Sequence, residues 1–464
     1  MGKECDDEVV ILVPTGSLGA GAREEELEYG IAQGAQVIAT DAGSTDSGAA
    51  YLALGISKNN RGAVKRDLTL MMKAASRAGI PIVVGTSGQA GGDLNLEWTR
   101  DIAVEVAREL GIRPRIALLY SELSKETVKR KNAEGRIRPL APMGPLDDAT
   151  IDGCDHIVGA MGPEPFIAAL EAGADIVLGG RTTDTAVICC YALMKGAPRG
   201  LSWHAGKIGE CGGQSTIKTV DAAGLLMRIR RDSFEVEPLN QINTCTPESV
   251  SAHMLYENSD PFRLFEPGGV LDVTHSQYEQ VTPRTVRVTG SEWEEMPYTM
   301  KLEGAAAGQY QTLMLVGIQD PVVLNDLETF QAKMTKTLYD RVHSTIGEAA
   351  GNFHISLRLY GWNAVSGAQP KAGTPPPPEI GVLFVATADT QDMANQIAKA
   401  CNPKFFHMYM PAHHEMPSYG FAFTPADIPR GPIYEFKLNH VVECDDPMEL
   451  VRTEWVDLSL EEAA

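Results

Sequence analysis

The sequence predicts an α/β fold. Residues 1–300 read as a mainly parallel, doubly wound sheet with helices on both faces, and 301–464 as a ferredoxin-like α+β domain with a C-terminal extension. Three observations predict this. Short β-branched apolar runs alternate with longer helical patterns, glycine-rich turns follow the runs, and the units recur at roughly the thirty residues that a βαβ crossover needs. The runs are apolar at nearly every position, as in a sheet covered on both faces. A closed β/α barrel stays open as the alternative closure.

Each element follows from its own residues. VVILV at 9–13 is a buried strand, followed by the turn PTGSLGAG and an acidic helix from Arg23. VIAT at 37–40 is the second strand and ends in DAGSTDSG. Val64, Leu68, Met71, Met72 and Ala75 form one face of an amphipathic helix. PIVVGTSGQAGGD is strand and turn, a helix runs from about Leu96 to Leu110, and RIALLY at 115–120 is the next strand. HIVGAMG at 156–162 and ADIVLGGRTTDTA at 174–186 complete the series.

After about residue 220 turns and polar residues increase, with strand-like VTPRTVRVTG and PYTMKLEG. From 310 the order is βαββαβ: YQTLMLVGIQD, a helix opening on an Asn cap just before Glu328, FHISLRLYGWN, EIGVLFVATA, the helix DTQDMANQIAKAC and FFHMYM. SGAQPKAGTPPPP is an exposed, extended loop, PIYEFKLNHVVE is hairpin-like, and a short helix from Asp446 closes the chain.

Composition bounds the partners. Over 464 residues, 40 Lys+Arg face 61 Asp+Glu for a net charge of −21, with 44% hydrophobic residues. That is a globular balance, and the acidic excess argues against nucleic acid and anionic membranes, which demand clustered cations. No stretch approaches the ~20 apolar residues of a membrane span. The eight cysteines are scattered without CxxC spacing, as in a reduced, cytoplasmic chain.

In an open sheet, ligands bind where strand ends meet helix N-termini. Thr15, Gly16 and Ser17 follow the first strand; Asp41, Ser44, Thr45 and Asp46 the second; Thr86, Ser87, Gly88, Gln89 and Asp93 the third. Ser121 and Glu122 follow the fourth, and Arg181, Thr182, Thr183 and Asp184 the strand ending at Leu178. Backbone N–H groups in such turns hold anions without net positive charge, so a carboxylate or phosphate is the natural ligand. Each turn alone is equally well explained by helix capping. Arg181 can grip a carboxylate with two parallel hydrogen bonds, or pair with a neighbouring Asp.

WHAGKIGECGGQST is the most chemically loaded segment, with His204, Lys207, Glu210 and Cys211 among glycines. Glu210 suits a general base for a proton α to a carbonyl. Cys211 suits a nucleophile whose thiolate His204 or the loop N–H groups would favour, against its reading as a small buried hydrophobe. His413, His414 and Glu415 lack the spacing of a zinc motif and read as structural or surface residues. Asp41, Asp46, Asp93 and Asp184 could together hold a divalent metal such as Mg²⁺, and capping explains them as well. No Rossmann fingerprint is present, so neither nicotinamide nor flavin is expected.

ADIVLGGRTTDTA, HAGKIGECGGQST, AHMLYENSDPFRLFEPGGVLDV and PSYGFAFTPADIPRGPIYEFKLNHVVE resemble the acyclic terpene utilisation (AtuA) family. The resemblance spans most of residues 8–300, with the later segment similar to one branch's C-terminal extension. It rests most specifically on Arg181–Asp184 and Glu210–Gly212. It implies a setting in the catabolism of citronellol- and geraniol-type compounds through CoA thioesters.

These readings predict a catabolic lyase, hydratase or isomerase acting on a small carboxylic acid or its CoA thioester. Glu210, Asp41 or Asp184 would move a proton α to the carbonyl. Arg181, Lys207, His204 and the turn residues would bind the anion. A Cys211-dependent hydrolase or acyl-transfer enzyme is the second reading, and a non-catalytic ligand-binding or assembly subunit the third. The expected partners are a small anionic substrate and a second copy of the chain or a small subunit.

Overall fold

Buried apolar strands with helices on either side build the first unit. The computed structural model describes residues 8–217, 224–371, 373–406, 408, 410 and 419–460, so His413, His414 and Glu415 lie outside the described residues. The chain forms two compact units: one runs to Ala306 and resumes at Phe436, and the other is Ala307–Glu435.

In the first unit, β1 (Val9–Val13), β2 (Val37–Asp41), β3 (Ile82–Gly85), β4 (Arg115–Tyr120) and β6 (Ile176–Gly179) lie parallel in the order β1-β2-β3-β6-β4. Successive side chains point to opposite faces. Val9, Ile11 and Val13 therefore enter one core with α4 (Glu164–Glu171), α5 (Asp184–Met194) and α6 (Arg199–Gly209). Val10 and Leu12 enter a second core with α1 (Glu24–Ala32), α2 (Arg61–Ala78) and α3 (Asp93–Leu110). The α2 face predicted from Val64 to Ala75 is buried; Asn60 caps the helix start, and Gly79 ends it at φ +66°.

The sheet is less parallel than its runs suggest. Leu225–Ile229 pairs antiparallel with β1, and Ser233–Pro238, Val286–Thr289 and Gln277–Gln280 extend that side. Arg452–Asp457 pairs antiparallel with β4 at the other edge. Of nine neighbouring pairs in the ten-stranded sheet, four are thus parallel and five antiparallel. β5 (His156–Ala160) leaves the series and pairs antiparallel with Lys301–Ala305. An apolar run records burial, not the identity of the neighbouring strand.

In the second unit, residues 310–318 of the strand Thr299–Ile318 pair with Ile380–Ala388, which pairs with Phe353–Tyr360. Tyr419–Phe421 pairs on the other side, and all three pairings are antiparallel. Phe330, Met334 and Leu338 of the helix Leu327–Thr345 share a core with Ile397, Cys401 and Phe405 of the helix Gln391–Phe406. Three local expectations are corrected. The cap at Leu327 is Asp326, whose carboxylate reaches Thr329 N at 3.2 Å. Phe405 and Phe406 end a helix where FFHMYM reads as a strand. The segment from Asp446 is a turn before Arg452–Asp457, where a short helix is expected.

The turn after β1 is tied to α2. The buried Asp67 carboxylate on α2 accepts from the N–H groups of Gly19, Gly21 and Ala22 at 2.9–3.0 Å. An internal carboxylate thus occupies the later donors of that turn, whereas Thr15, Gly16 and Ser17 line a cavity. Asp67→Ala strands one buried and two half-buried donors and should cost roughly 1–3 kcal/mol, read as a lower urea midpoint at unchanged m-value.

Candidate functional site

The carboxyl ends of β1, β2, β3 and β6 lie side by side, so their turns meet. Leu18 N donates to Asp41 O at 2.8 Å, Ala42 N to Gly85 O at 2.8 Å and Ser87 N to Gly179 O at 2.9 Å. Gly16 lies against the Cys211 carbonyl, where a Cβ would clash, so the PTG turn touches the Glu-Cys-Gly loop.

Two cavities open here, both in the first unit. One of about 710 Å³ is lined by Arg181, Thr183, Lys207 and Glu266, with Phe265, Met296 and Val441 on its apolar side. The other, about 420 Å³, is lined by Thr15, Gly16, Ser17, Asp41 and Cys211. Ser44, Asp184, Glu210 and Glu257 line both, so the two adjoin.

Arg181 is the fixed point. Its Nε donates to Glu303 Oε2 at 2.8 Å and its Nη1 to Thr182 O at 2.9 Å. Glu303 Oε1 also accepts from Thr45 Oγ1 at 2.8 Å and pairs with Lys301 Nζ at 2.7 Å. Asp184 Oδ1 stands 3.5 Å from Arg181 Nη1. The backbone around Arg181 is braced by strain: Thr86 takes φ +47°, unfavourable for a β-branched residue. From there its hydroxyl donates to Thr182 O at 3.1 Å and accepts from Thr182 N at 3.3 Å. Gly91, at φ +71°, takes the Arg181 N–H on its carbonyl at 3.0 Å.

Glu210 and Lys207 lie four-hundredths exposed on consecutive turns at the end of α6 and are ion-paired. Glu210 Oε2 accepts from Thr185 Oγ1 at 3.0 Å. Burial raises Glu210 to about 8 against the pull of Lys207, with Asp184 adding repulsion. Burial, with the neighbouring Asp184 charge, also holds Asp41 well above the usual carboxylate range. Asp184 is raised by burial, and Glu266 is raised by burial to about 7. Asp41 Oδ2 accepts from Gly43 N at 2.9 Å, whereas its buried Oδ1 has no partner among the described residues.

Asp41, Asp184, Glu210 and Cys211 thus come together, as do Thr15, Gly16, Ser17, Ser44, Arg181, Thr183 and Lys207. Thr45 and Thr182 serve the Arg181 network behind the cavity. Ser87, Gly88 and Gln89 line neither cavity; Gln89 donates to Ser44 O and Ser47 Oγ at 3.0 Å and holds the second turn. His204 is corrected outright. It lies in the core between Ser291 Oγ at 2.8 Å and Tyr278 OH at 3.2 Å, and burial lowers it to about 3. It is neither a ligand contact nor an activator of Cys211, whose thiol is raised by burial and by the Glu210 charge. Asp93 stands apart with Arg452 at 3.1 Å, and its neighbour Glu122 holds His156 at 2.6 Å.

Sequence reasoning missed Glu303, Glu266, His253 and Glu257. Glu303 lies within KLEGAAAG and pairs across 122 positions, which no local pattern records. The other three fall in the AHMLYENSDPFRLFEPGG run, where their carboxylates and imidazole were the available signal. Among the described residues, Glu210, Cys211 and His253 form the group able to hold a metal ion, with ligand atoms within 4.8 Å of one another.

The acyclic terpene utilisation family protein AtuA model matches residues 57–219 and 236–433. The chain belongs to the AtuA family. The match continues through most of the second unit, beyond the span to 300 on which the sequence motifs concentrate. Comparison with curated proteins and with solved structures returned no significant match.

Glu303→Gln removes the buried counter-ion of Arg181 and should destabilise the protein by about 3 kcal/mol at neutral pH. Against burial, which raises it, Arg181 and Lys301 lower Glu303 from 4.5 to about 2, so its contribution is complete above 4.5 and lost as pH falls through about 2. The stability gap between wild type and Glu303→Gln, followed by urea unfolding, should therefore narrow on acidification across that window.

Proposed function

We propose that this family member is a catabolic lyase, hydratase or isomerase that takes a proton α to the carbonyl of a small carboxylic acid or its CoA thioester. Membership of the AtuA family suggests a role in terpene catabolism, and the apolar wall of Phe265, Met296 and Val441 suits an acyl chain. The observation that carries the reading is Asp41: a buried carboxylate in the cavity wall with one oxygen unpartnered among the described residues. Glu210 is the weaker base, because Lys207 and Thr185 engage both of its oxygens. The C–H electron pair would pass to the carbonyl oxygen as an enolate, and the proton to Asp41. The N-terminus of α5 opens beside both cavities at Asp184 and offers positive potential to that oxygen. A Cys211 nucleophile is disfavoured by its raised thiol. The ferredoxin-like reading of the second unit belongs to the same proposal: its strand order places Tyr419–Phe421 beside the first strand and Ile380–Ala388 on the other side.

The test is deuterium uptake at the α carbon of acyclic acids and their CoA thioesters in D₂O, followed by mass spectrometry. Asp41→Asn should lower exchange by about 10²–10⁴-fold while the protein stays folded. Wild-type exchange should fail on the acid side at a pH well above the ordinary aspartate value of 3.8, because the base must be ionised. Undiminished exchange in Asp41→Asn overturns the assignment, and no exchange with any member of the panel overturns the reaction class.

A further inference from the structure

Beyond that reaction, we infer that Glu210, Cys211 and His253 form a three-ligand site for a borderline divalent cation, best suited to Zn²⁺. One Glu210 carboxylate oxygen, the Cys211 sulfur and a His253 ring nitrogen lie within 4.8 Å of one another, and that oxygen would exchange its Lys207 or Thr185 partner for the metal. Neighbouring ligands of a tetrahedral zinc site stand roughly 3.5 Å apart, given bonds of about 2.0–2.3 Å. Side-chain rotation of about an ångström closes the difference.

One feature independent of the cluster points to a bound cation. His253 is 5% exposed, and its Nε2 is buried without a hydrogen-bond partner among the described residues. A buried imidazole nitrogen normally has a partner, and a metal supplies one. His253 stacks on Tyr256 at 5.6 Å, which holds the ring plane.

The charges agree. Lys207, paired with Glu210, sets one positive charge against a cation, and the carboxylates of Asp41, Asp184 and Glu257 on the same cavities outnumber it. The mixed N, S and O donor set disfavours Mg²⁺ and Ca²⁺, which take oxygen ligands. Three protein ligands leave a fourth position for water or a substrate oxygen, the pattern of catalytic zinc sites. On binding, the Cys211 S–H bond breaks, the sulfur pair forms the bond to the metal, and the proton leaves to buffer.

The test is Co²⁺ titration of the chelator-treated full chain, read by absorption and calorimetry. The expected result is one Co²⁺ per chain with a near-ultraviolet thiolate-to-cobalt band, displaced by Zn²⁺. Cys211→Ser should abolish that band, and His253→Ala and Glu210→Gln should each weaken binding by at least about 100-fold. Circular dichroism monitors folding, and if His253→Ala does not fold, the other two variants decide. Asp41→Asn should keep the cobalt band, so failure of the proton-transfer reading leaves this one legible. Absence of stoichiometric Co²⁺ binding, or equal binding by the wild type and all three ligand variants, overturns the site.

Discussion

Arg181 is buried where four strands end, and the site is organised around the need to neutralise it. Its charge is met by Glu303 at 2.8 Å, and Glu303 is in turn held by Thr45 and Lys301. A buried cation without its partner is far more costly than the pair is favourable. The constraint therefore reaches into the turns after β2, β3 and β6 at once. Thr86 accepts an unfavourable φ because its hydroxyl braces the Thr182 peptide beside the guanidinium. The same arrangement places Asp184 at the start of α5 beside both cavities.

Once Arg181 is satisfied by Glu303, Asp41, Asp184 and Glu210 share the remaining space with little positive charge. Burial raises all three carboxyls, and Lys207 only partly offsets this for Glu210. A wall with this excess either holds protons or attracts a cation. Proton-transfer chemistry and a metal ligand set draw on that same property through different residues: Asp41 for the former, and Glu210, Cys211 and His253 for the latter.

Much of the scaffold was legible in the sequence. RIALLY gives the strand Arg115–Tyr120 residue for residue, and the periodicity of Val64–Ala75 marks the buried face of α2. The turns that carry Asp41 and Arg181 were legible too, because glycine clusters after apolar runs have few other uses. His204 was misread because a glycine-flanked segment looks like a loop, whereas His204 lies inside the helix Arg199–Gly209, which faces the core. Nothing local in PTGSLGAG announces Asp67, some fifty positions later, as the carboxylate that holds the later N–H groups of the turn.

By itself, the sequence determined the alternation of strand and helix, the belonging to the AtuA family and the turns that face the cavities. These follow from local periodicity and short motifs. Tertiary structure alone decided which strands are neighbours, sending His156–Ala160 to Lys301–Ala305 and adding antiparallel strands at both edges. It also decided which charges are spent on the fold and which are left for chemistry. Arg181 meets Glu303 across 122 positions, while His253 comes beside Glu210 and Cys211. Pairing of buried charge depends on distance in space, and a linear pattern does not encode that distance.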